Sequence, residues 1–262
     1  MPATVLEPDT RALAPRFSAA MLERIGSDLL QSGYCHVPGQ QIRLDCAIEP
    51  ASWRQFSDCW GGLTLDNYMG DGGTYRFRRY GAINLDGPDA ALTLLPHGPY
   101  EQPRYINTLN GGKARHFDPI EERFVEHPFL HCLLRSLASV FDAIHPGQGG
   151  WNIRLHPYRI RTWQEQPGLP TPEGLHRDGV DYIVTMMVRR LNVEGATTVV
   201  TDNEGVPRFL TTLNEPMELL VADDTSTMHS VSPLQCKDPL QEAYRDVLVV
   251  AFTRYSSLEQ QS

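Results

Sequence analysis

The sequence lacks the paired cysteines typical of secreted proteins and the long apolar runs typical of membrane proteins. Its 262 residues include five cysteines, an odd number at scattered positions without a C-x-x-C pair. That pattern favours free thiols in a reducing compartment. No apolar run approaches the length of a membrane span, and residues 1–17 lack the apolar segment of a secretory signal. We therefore expect a cytoplasmic protein that makes no contact with a membrane.

Basic charge is also scarce. The chain has 23 lysines and arginines against 32 acidic residues, a net charge of −9. Proteins that bind nucleic acid usually carry a basic excess or a basic stripe. Neither the phosphate-binding G-x-x-x-x-G-K-[ST] loop nor a dinucleotide-binding glycine fingerprint is present, and we find no serine or cysteine hydrolase arrangement. These absences argue against a nucleic-acid partner and favour a small-molecule substrate.

The first part of the chain shows helical periodicity. Apolar residues recur at helical spacing in 18–33, in 48–61 and in 127–144. Between the second and third of these stretches, alternation at 75–78 among glycine-rich turns predicts a hairpin. The sequence thus predicts a helix-rich part over residues 1–150, within one domain that covers residues 1–262.

The second part, residues 151–262, reads as short strands. Polar turns separate seven apolar or alternating segments, which are 151–163, 181–191, 197–202, 207–213, 217–223, 227–234 and 244–255. Many short strands with no helical pattern between them are typical of a sandwich or a jelly roll. We expect an α+β protein whose double-sheet core is flanked by the N-terminal helices.

One metal-binding pattern lies at the start of this strand-rich part. His176 and Asp178 are two residues apart, so in an extended segment both side chains point to the same face. His229 follows in a later predicted strand. Two imidazoles and one carboxylate form a facial triad that leaves positions open on Fe(II) for a 2-oxo acid and O₂. An H-x-D pair alone also occurs by chance, so the later histidine matters.

An arginine follows the second histidine at a useful position. Arg245 opens the last predicted strand, and its planar guanidinium is suited to hold the far carboxylate of 2-oxoglutarate through two parallel hydrogen bonds. A surface arginine paired with Asp246 or Glu242 is the plain alternative. Arg254, nine residues further along the strand, is the rival for the same role.

Longer motifs surround these residues. The segments PTPEGLHRDGVDYI, TTVVTDN, LNEPMELLVADDTSTMHSVSPL and YRDVLVVAF are similar to the bacterial 2OG-Fe dioxygenase family that includes L-isoleucine 4-dioxygenase. The resemblance implies a double-stranded β-helix core, a jelly roll of the cupin type, and hydroxylation of a free aliphatic L-amino acid with release of succinate and CO₂. It assigns His176, Asp178 and His229 to Fe(II) and Arg245 to 2-oxoglutarate, with O₂ as the oxidant.

An amino-acid substrate would need a cation for its carboxylate and an acceptor for its ammonium group. Arg76, Arg78 and Arg159 are candidates for the first role. Asp181 and Asp223 are candidates for the second, and Trp163 for an apolar wall. Each of these has an ordinary structural explanation as well, namely a solvated arginine, a turn aspartate or a packed indole.

Three other functions fit parts of the pattern. A cupin-like oxygenase or isomerase would share the metal but not need Arg245. A non-enzymatic metal-binding stress or sensor protein could use the same scaffold. A zinc hydrolase could use the same ligand types but would also need a general base. The combination of triad and arginine favours the dioxygenase.

Overall fold

The computed structural model describes residues 3–6, 16–107, 109, 111–147 and 149–256. In the first half of the chain, helices and short strands alternate. They are β1 (Thr4–Leu6), α1 (Ala19–Ser32), β2 (Tyr34–Val37), α2 (Gly39–Asp45), α3 (Pro50–Asp58), β3 (Thr64–Leu65), β4 (Arg76–Arg78), β5 (Gly81–Leu85), β6 (Leu92–Leu94), α4 (Glu122–Val125) and α5 (Pro128–Ile144). A 3₁₀ turn, Cys59–Gly62, follows α3.

The second half is built of strands. They are β7 (Trp151–Arg161), β8 (Tyr182–Leu191), β9 (Val193–Gly195), β10 (Thr198–Thr201), β11 (Pro207–Thr211), β12 (Leu219–Asp223), β13 (Met228–Val231), β14 (Leu234–Cys236) and β15 (Tyr244–Arg254). The seven predicted strands are confirmed. The short strands β9 and β14 are additional and pair with each other.

Two facing sheets form the core. Among the described residues, ten strands make the larger sheet, whose main path runs β1-β6-β5-β7-β15-β8-β12-β2, with β3 and β4 branching from β7. A smaller sheet has the order β11-β10-β13. At the centre of the larger sheet, β15 pairs antiparallel with β7 along its full length and with β8 on its other side. The architecture is the α+β jelly roll that the sequence predicts.

Local sequence explains where the main helices begin and end. Helix α1 starts where the Ser18 hydroxyl accepts a hydrogen bond from the Met21 N–H, and it ends at Gly33, whose φ of 78° suits glycine. Helix α5 starts with Pro128 in its first turn, and the His127 ring accepts from the Phe129 N–H. These two predicted helices are confirmed, and both pack on the larger sheet in the main hydrophobic core. The helix predicted over 48–61 is also confirmed, as α3 and the 3₁₀ turn that follows it.

The first half contributes more strand than its sequence suggests. Strand β2 extends the larger sheet by pairing with β12, and β4 and β5 both pair with β7. The larger sheet is therefore not confined to residues 151–262. Strands of three to five residues between glycines and prolines are too short to show a clear period. The alternating run predicted around 75–78 contains β4, which pairs antiparallel with the preceding strand β3.

The state of the cysteines and the length of the helices can be compared with the expectation of free thiols and no membrane span. The five cysteines, all within the described ranges, are free thiols. Cys46 and Cys132 lie close together in the core, with 2.9 Å between their sulfur atoms. In the part of the chain that the structure describes, no helix combines the length and apolar character needed to cross a membrane.

Candidate active site

A cavity lies between the centre of the larger sheet and strand β13 of the smaller one. Alternate residues of a strand point to the same side, and two central strands use this to line the cavity. Strand β7 contributes Arg154, His156, Tyr158 and Ile160, and β15 contributes Arg245, Val247, Val249 and Ala251. The facing wall carries His229 and the loop residues around His176.

The three predicted metal ligands meet in this cavity. His176, Asp178 and His229 each offer a ligand atom within 4.8 Å of the others. The His229 Nε2 atom is 3.5 Å from Asp178 Oδ2. Two neutral nitrogens and one carboxylate oxygen on one side of a metal leave its other side open, which suits Fe(II) with a bidentate co-substrate and O₂.

Backbone pairing holds the two imidazoles together. The His176 N–H donates to the His229 carbonyl at 3.0 Å, and the His229 N–H donates to the His176 carbonyl at 2.9 Å. The ring atom Nδ1 of His176 lies 2.9 Å from the Gly174 carbonyl, to which it donates in the neutral tautomer. That contact leaves the lone pair on Nε2 for a metal, as in most protein metal sites.

A buried aspartate orients the third ligand. The Asp224 carboxylate accepts hydrogen bonds from the backbone N–H groups of Asp178 at 3.1 Å, Gly179 at 2.7 Å and Val180 at 3.0 Å. Gly179 has φ 74°, a conformation that glycine adopts freely. Asp224 therefore fixes the turn that presents Asp178. Asp224 was not predicted from the sequence, where its only signal was its place as a second acidic residue beside Asp223.

Charges inside the cavity shift several pKa values. Burial lowers the pKa of His229 to about 3, with the charge of His176 adding to the effect. Burial also lowers the pKa of His176, but the negative charges of Asp178 and Glu173 outweigh it, so the net shift is upward. The pKa of Asp178 is raised by burial, and the charge of His176 opposes that shift. Burial thus keeps the His229 ring neutral, the form in which an imidazole binds metal.

Arg245 also lines this cavity, and two of its three guanidinium nitrogens are unpaired in the described part of the chain. It is 2% exposed, and its Nε and Nη2 atoms have no hydrogen-bond partner among the described residues. Burial, with the charge of Arg190 as a smaller effect, lowers its pKa to about 9. A buried guanidinium without partners is costly unless a ligand supplies them. A carboxylate of 2-oxoglutarate fits this arginine by charge and by the fork geometry of the guanidinium.

The alternative arginine, Arg254, forms hydrogen bonds to other parts of the chain. Arg254 donates to the Asp142 carboxylate at 2.7 Å and to the carbonyls of Gly149, Phe141 and His145. Its guanidinium also lies 3.8 Å from the centre of the Trp151 ring. These contacts join β15 to the end of α5, so Arg254 has a structural role, and it is not among the residues that line the cavity.

The predicted substrate-binding residues divide into two groups. Arg76 lines the cavity, and the buried Asp66 orients it through hydrogen bonds of 2.8 Å. Arg78 is buried behind the cavity wall, where it donates to His156 Nδ1 and stacks on Phe117 at 3.8 Å.

Arg159 and Trp163 lie outside the cavity. Arg159 points to the other face of β7 and binds both oxygens of Asp246 at 2.7 Å. Trp163 is 43% exposed. Neither is among the residues that line the cavity.

The two aspartates considered for the ammonium group serve the backbone instead. An Asp181 oxygen accepts the Arg254 N–H at 2.7 Å. Asp223 accepts from the N–H and the hydroxyl of Thr225 in a tight turn. Our sequence analysis did not single out Glu173, which lines the cavity three residues before His176. Its signal was the lead-in of the motif, PTPEGLHRDG.

Comparison with known proteins agrees with this geometry. A sequence profile of 2OG-Fe dioxygenases matches residues 57–251. The chain belongs to the 2OG-Fe dioxygenase family. Enzymes of this family use Fe(II), 2-oxoglutarate and O₂, and the His-Asp-His group of this dioxygenase is able to bind a metal.

Three relatives illustrate how far the similarity extends. The 3(1)-hydroxy-L-isoleucine 4-dioxygenase of Pantoea ananatis is 23% identical over 238 residues, which are 86% of this chain and 94% of the relative. The L-isoleucine-4-hydroxylase of Bacillus thuringiensis is 28% identical over 176 residues, 64% of this chain and 70% of the relative. The crystal structure of a bsmA homologue from Methylobium petroleophilum has a TM-score of 0.81 at 31% identity, covering 89% of this chain and 93% of that one.

Proposed function

We propose that this dioxygenase hydroxylates a free aliphatic L-amino acid, with Fe(II) held by His176, Asp178 and His229. Arg245 holds the far carboxylate of 2-oxoglutarate. The observation that carries the proposal is Arg245 itself, a buried cation with unpartnered N–H groups in the cavity that contains the three ligands. An enzyme that only needed a metal would have no use for such a cation.

The bound iron would supply the oxidising chemistry, in which 2-oxoglutarate is converted to succinate and CO₂ and one oxygen atom enters the substrate. The chain's own residues bind and orient the reactants. Arg245 fixes the tail of the co-substrate, and Asp224 fixes the turn that carries Asp178. The apolar wall of Val249 and Ala251 excludes water from the reacting centre.

The substrate class rests on two further points. The cavity combines aliphatic side chains, including Ile183 and Val249, with the cation Arg76, which Asp66 orients. An aliphatic amino acid has both an apolar side chain and a carboxylate to match. The two named relatives are an isoleucine hydroxylase and a dioxygenase of a hydroxylated isoleucine. The cytoplasmic location predicted from the cysteine content remains part of this proposal.

Succinate release tests the proposal. Protein purified without O₂ would be mixed with Fe(II), 2-oxoglutarate, ascorbate and O₂, against each free L-amino acid in turn. We expect succinate to rise with an aliphatic amino acid, together with a product heavier by one oxygen atom. Asp178→Ala should abolish both signals. Failure of every amino acid to stimulate succinate release would reject the substrate class, and full activity of Asp178→Ala would reject the ligand set.

A further inference from the structure

We propose that Glu173 binds the α-ammonium group of the substrate and makes the cavity selective for amino acids over other carboxylic acids. The inference rests on the proposed function, because it concerns the same site and assumes an amino-acid substrate. It assigns a specificity role to a side chain three residues before a metal ligand.

The charges that line the cavity single out this residue. Among the described lining residues, only Glu173 and Asp178 are carboxylates. Asp178 belongs to the metal group, so Glu173 is left as the anion that a cationic ligand can meet. By contrast, three arginines line the cavity and can bind anionic groups: Arg76, Arg154 and Arg245. A zwitterion placed here has several cations for its carboxylate but a single anion for its ammonium group.

One carboxylate oxygen of Glu173 is buried and unpaired in the described part of the chain. Its side chain is 12% exposed, and its Oε2 atom is buried with no hydrogen-bond partner among the described residues. A carboxylate oxygen that is shielded from water and unpaired is energetically unfavourable. An ammonium group carries three N–H donors and a full positive charge, so it would satisfy Oε2 and neutralise the carboxylate in one contact.

The position of Glu173 also suits a substrate that reacts at the metal. Its Oε1 atom lies 3.7 Å from His176 Nε2, the ring nitrogen that is free for the metal. Glu173 lies in a turn closed by the Gly174 N–H on the Thr171 carbonyl at 3.0 Å, and His176 follows this turn in the chain. An ammonium group bound at Glu173 therefore places the amino-acid backbone beside the metal position.

A rival role for Glu173 is direct metal binding. The three ligand atoms of His176, Asp178 and His229 lie within 4.8 Å of one another, and Glu173 is not part of that group. A ligand role predicts that loss of the carboxylate weakens metal binding. An ammonium-binding role predicts unchanged metal binding and a loss confined to amino acids.

The test uses Glu173→Gln, which keeps the shape of the side chain and removes its charge. Glu194→Gln, at an exposed position of strand β9, is the matched control. Both variants and the parent protein would be loaded with Fe(II) and 2-oxoglutarate without O₂, so that binding is measured without turnover. The ligands are the amino acid that releases most succinate from the parent protein, and the 2-hydroxy acid with the same side chain.

We expect Glu173→Gln to weaken amino-acid binding roughly tenfold to hundredfold in calorimetry, since a hydrogen bond to a charged group is lost. Binding of the 2-hydroxy acid should change little, because it has no ammonium group. Fe(II) affinity should match that of the parent protein, and Glu194→Gln should behave as the parent in every measurement.

Each other outcome overturns the inference and leaves a distinct trace. Equal weakening for both ligands would mean a general effect on the cavity. Unchanged amino-acid binding would remove Glu173 from recognition while the proposed function stands. A drop in Fe(II) affinity would make Glu173 a metal ligand. Absence of turnover with any amino acid in the parent protein would reject the proposed function first, and this inference with it.

Discussion

The backbone N–H of Asp178 donates a hydrogen bond of 3.1 Å to the carboxylate of Asp224, 46 residues later in the chain. Asp224 is 1% exposed and accepts two more N–H groups from the same turn, so three of its contacts converge on one short segment. Because the hydrogen bonds that the carboxylate accepts here come from the backbone, its role is to shape the turn. The geometry of the His176, Asp178 and His229 group therefore depends on a residue outside that group.

We predict that Asp224→Ala lowers the affinity for Fe(II) by about tenfold to hundredfold, the usual effect of removing a partner that orients a metal ligand. Asp224→Asn should have a smaller effect, because one acceptor oxygen remains. Metal titration of the apoprotein, followed by circular dichroism, measures the loss. Asp238→Asn is the control, since Asp238 also accepts a backbone N–H, from Leu240, in a turn away from the cavity. Equal metal affinity in Asp224→Ala and the parent would contradict the role of Asp224.

Arg245 and Arg254 lie on one strand and give opposite predictions. We expect Arg245→Ala to raise the 2-oxoglutarate concentration needed for half-maximal turnover roughly tenfold to hundredfold, because two charge-assisted hydrogen bonds are lost. The Fe(II) requirement should stay the same. Steady-state rates at varied 2-oxoglutarate measure the effect.

Arg254→Lys provides the comparison. Lysine cannot make all of the hydrogen bonds of Arg254 to Asp142 and the end of α5. The variant should therefore have a lower unfolding midpoint and an unchanged 2-oxoglutarate requirement. The reverse pattern, with Arg254→Lys raising that requirement and Arg245→Ala leaving it unchanged, would transfer the co-substrate role to Arg254.

Much of the fold was readable from local pattern. Helix α5 has apolar residues at helical spacing, a proline in its first turn and a capping histidine, so its bounds follow from the sequence. Strands β7 and β15 are 11 residues long with mostly buried side chains, which makes them clear as well. The sheet order was not readable. The pairing of β2 with β12 joins segments about 180 residues apart, and no local period reports such a contact.

The site was also predictable in part from local sequence. An H-x-D pair and a later histidine have a recognisable spacing, and Arg245 follows at the start of a strand. Which arginines face the cavity depended on strand register instead. Arg159 and Ile160 are neighbours on β7, and a shift of one residue reverses the face to which each points. The register that puts Ile160 in the cavity directs Arg159 to Asp246.

This placement makes Arg159 a structural residue with a measurable role. The Asp246 side chain is fully buried, and Arg159 binds both of its oxygens. Removing one partner of a buried ion pair destabilises a protein by about 3 kcal/mol. We therefore predict that Arg159→Gln lowers the free energy of unfolding by about that amount and leaves the Michaelis constant for the amino acid unchanged. Urea unfolding and steady-state kinetics test the two halves.

The double variant Arg159→Met, Asp246→Leu sharpens that test. It removes both charges together, so it should be more stable than Arg159→Gln. A raised Michaelis constant in Arg159→Gln, with stability intact, would return Arg159 to the substrate site.

We predict a loss of stability in acid from one buried histidine on helix α5. His131 on α5 is 8% exposed, and its Nε2 atom lies 2.8 Å from the Val125 carbonyl, to which it donates when the ring is neutral. Burial lowers the pKa of His131 below its ordinary value of 6.5, and the hydrogen bond to Val125 opposes that shift only in part. The folded state thus favours the neutral ring, whereas the unfolded state takes up a proton at pH values near 6.5.

The sign of the pH dependence follows from that difference. Above pH 6.5 the ring is neutral in both states, and His131 adds no pH dependence. As the pH falls below 6.5 the unfolded state binds the proton first, so stability decreases, by at most about 1.4 kcal/mol per pH unit for one group. His131→Gln keeps a donor for Val125 and cannot titrate. Urea unfolding at several pH values between 8 and 5 should show a shallower decline for the variant than for the parent protein. Parallel declines would mean that His131 is not held neutral in the folded state.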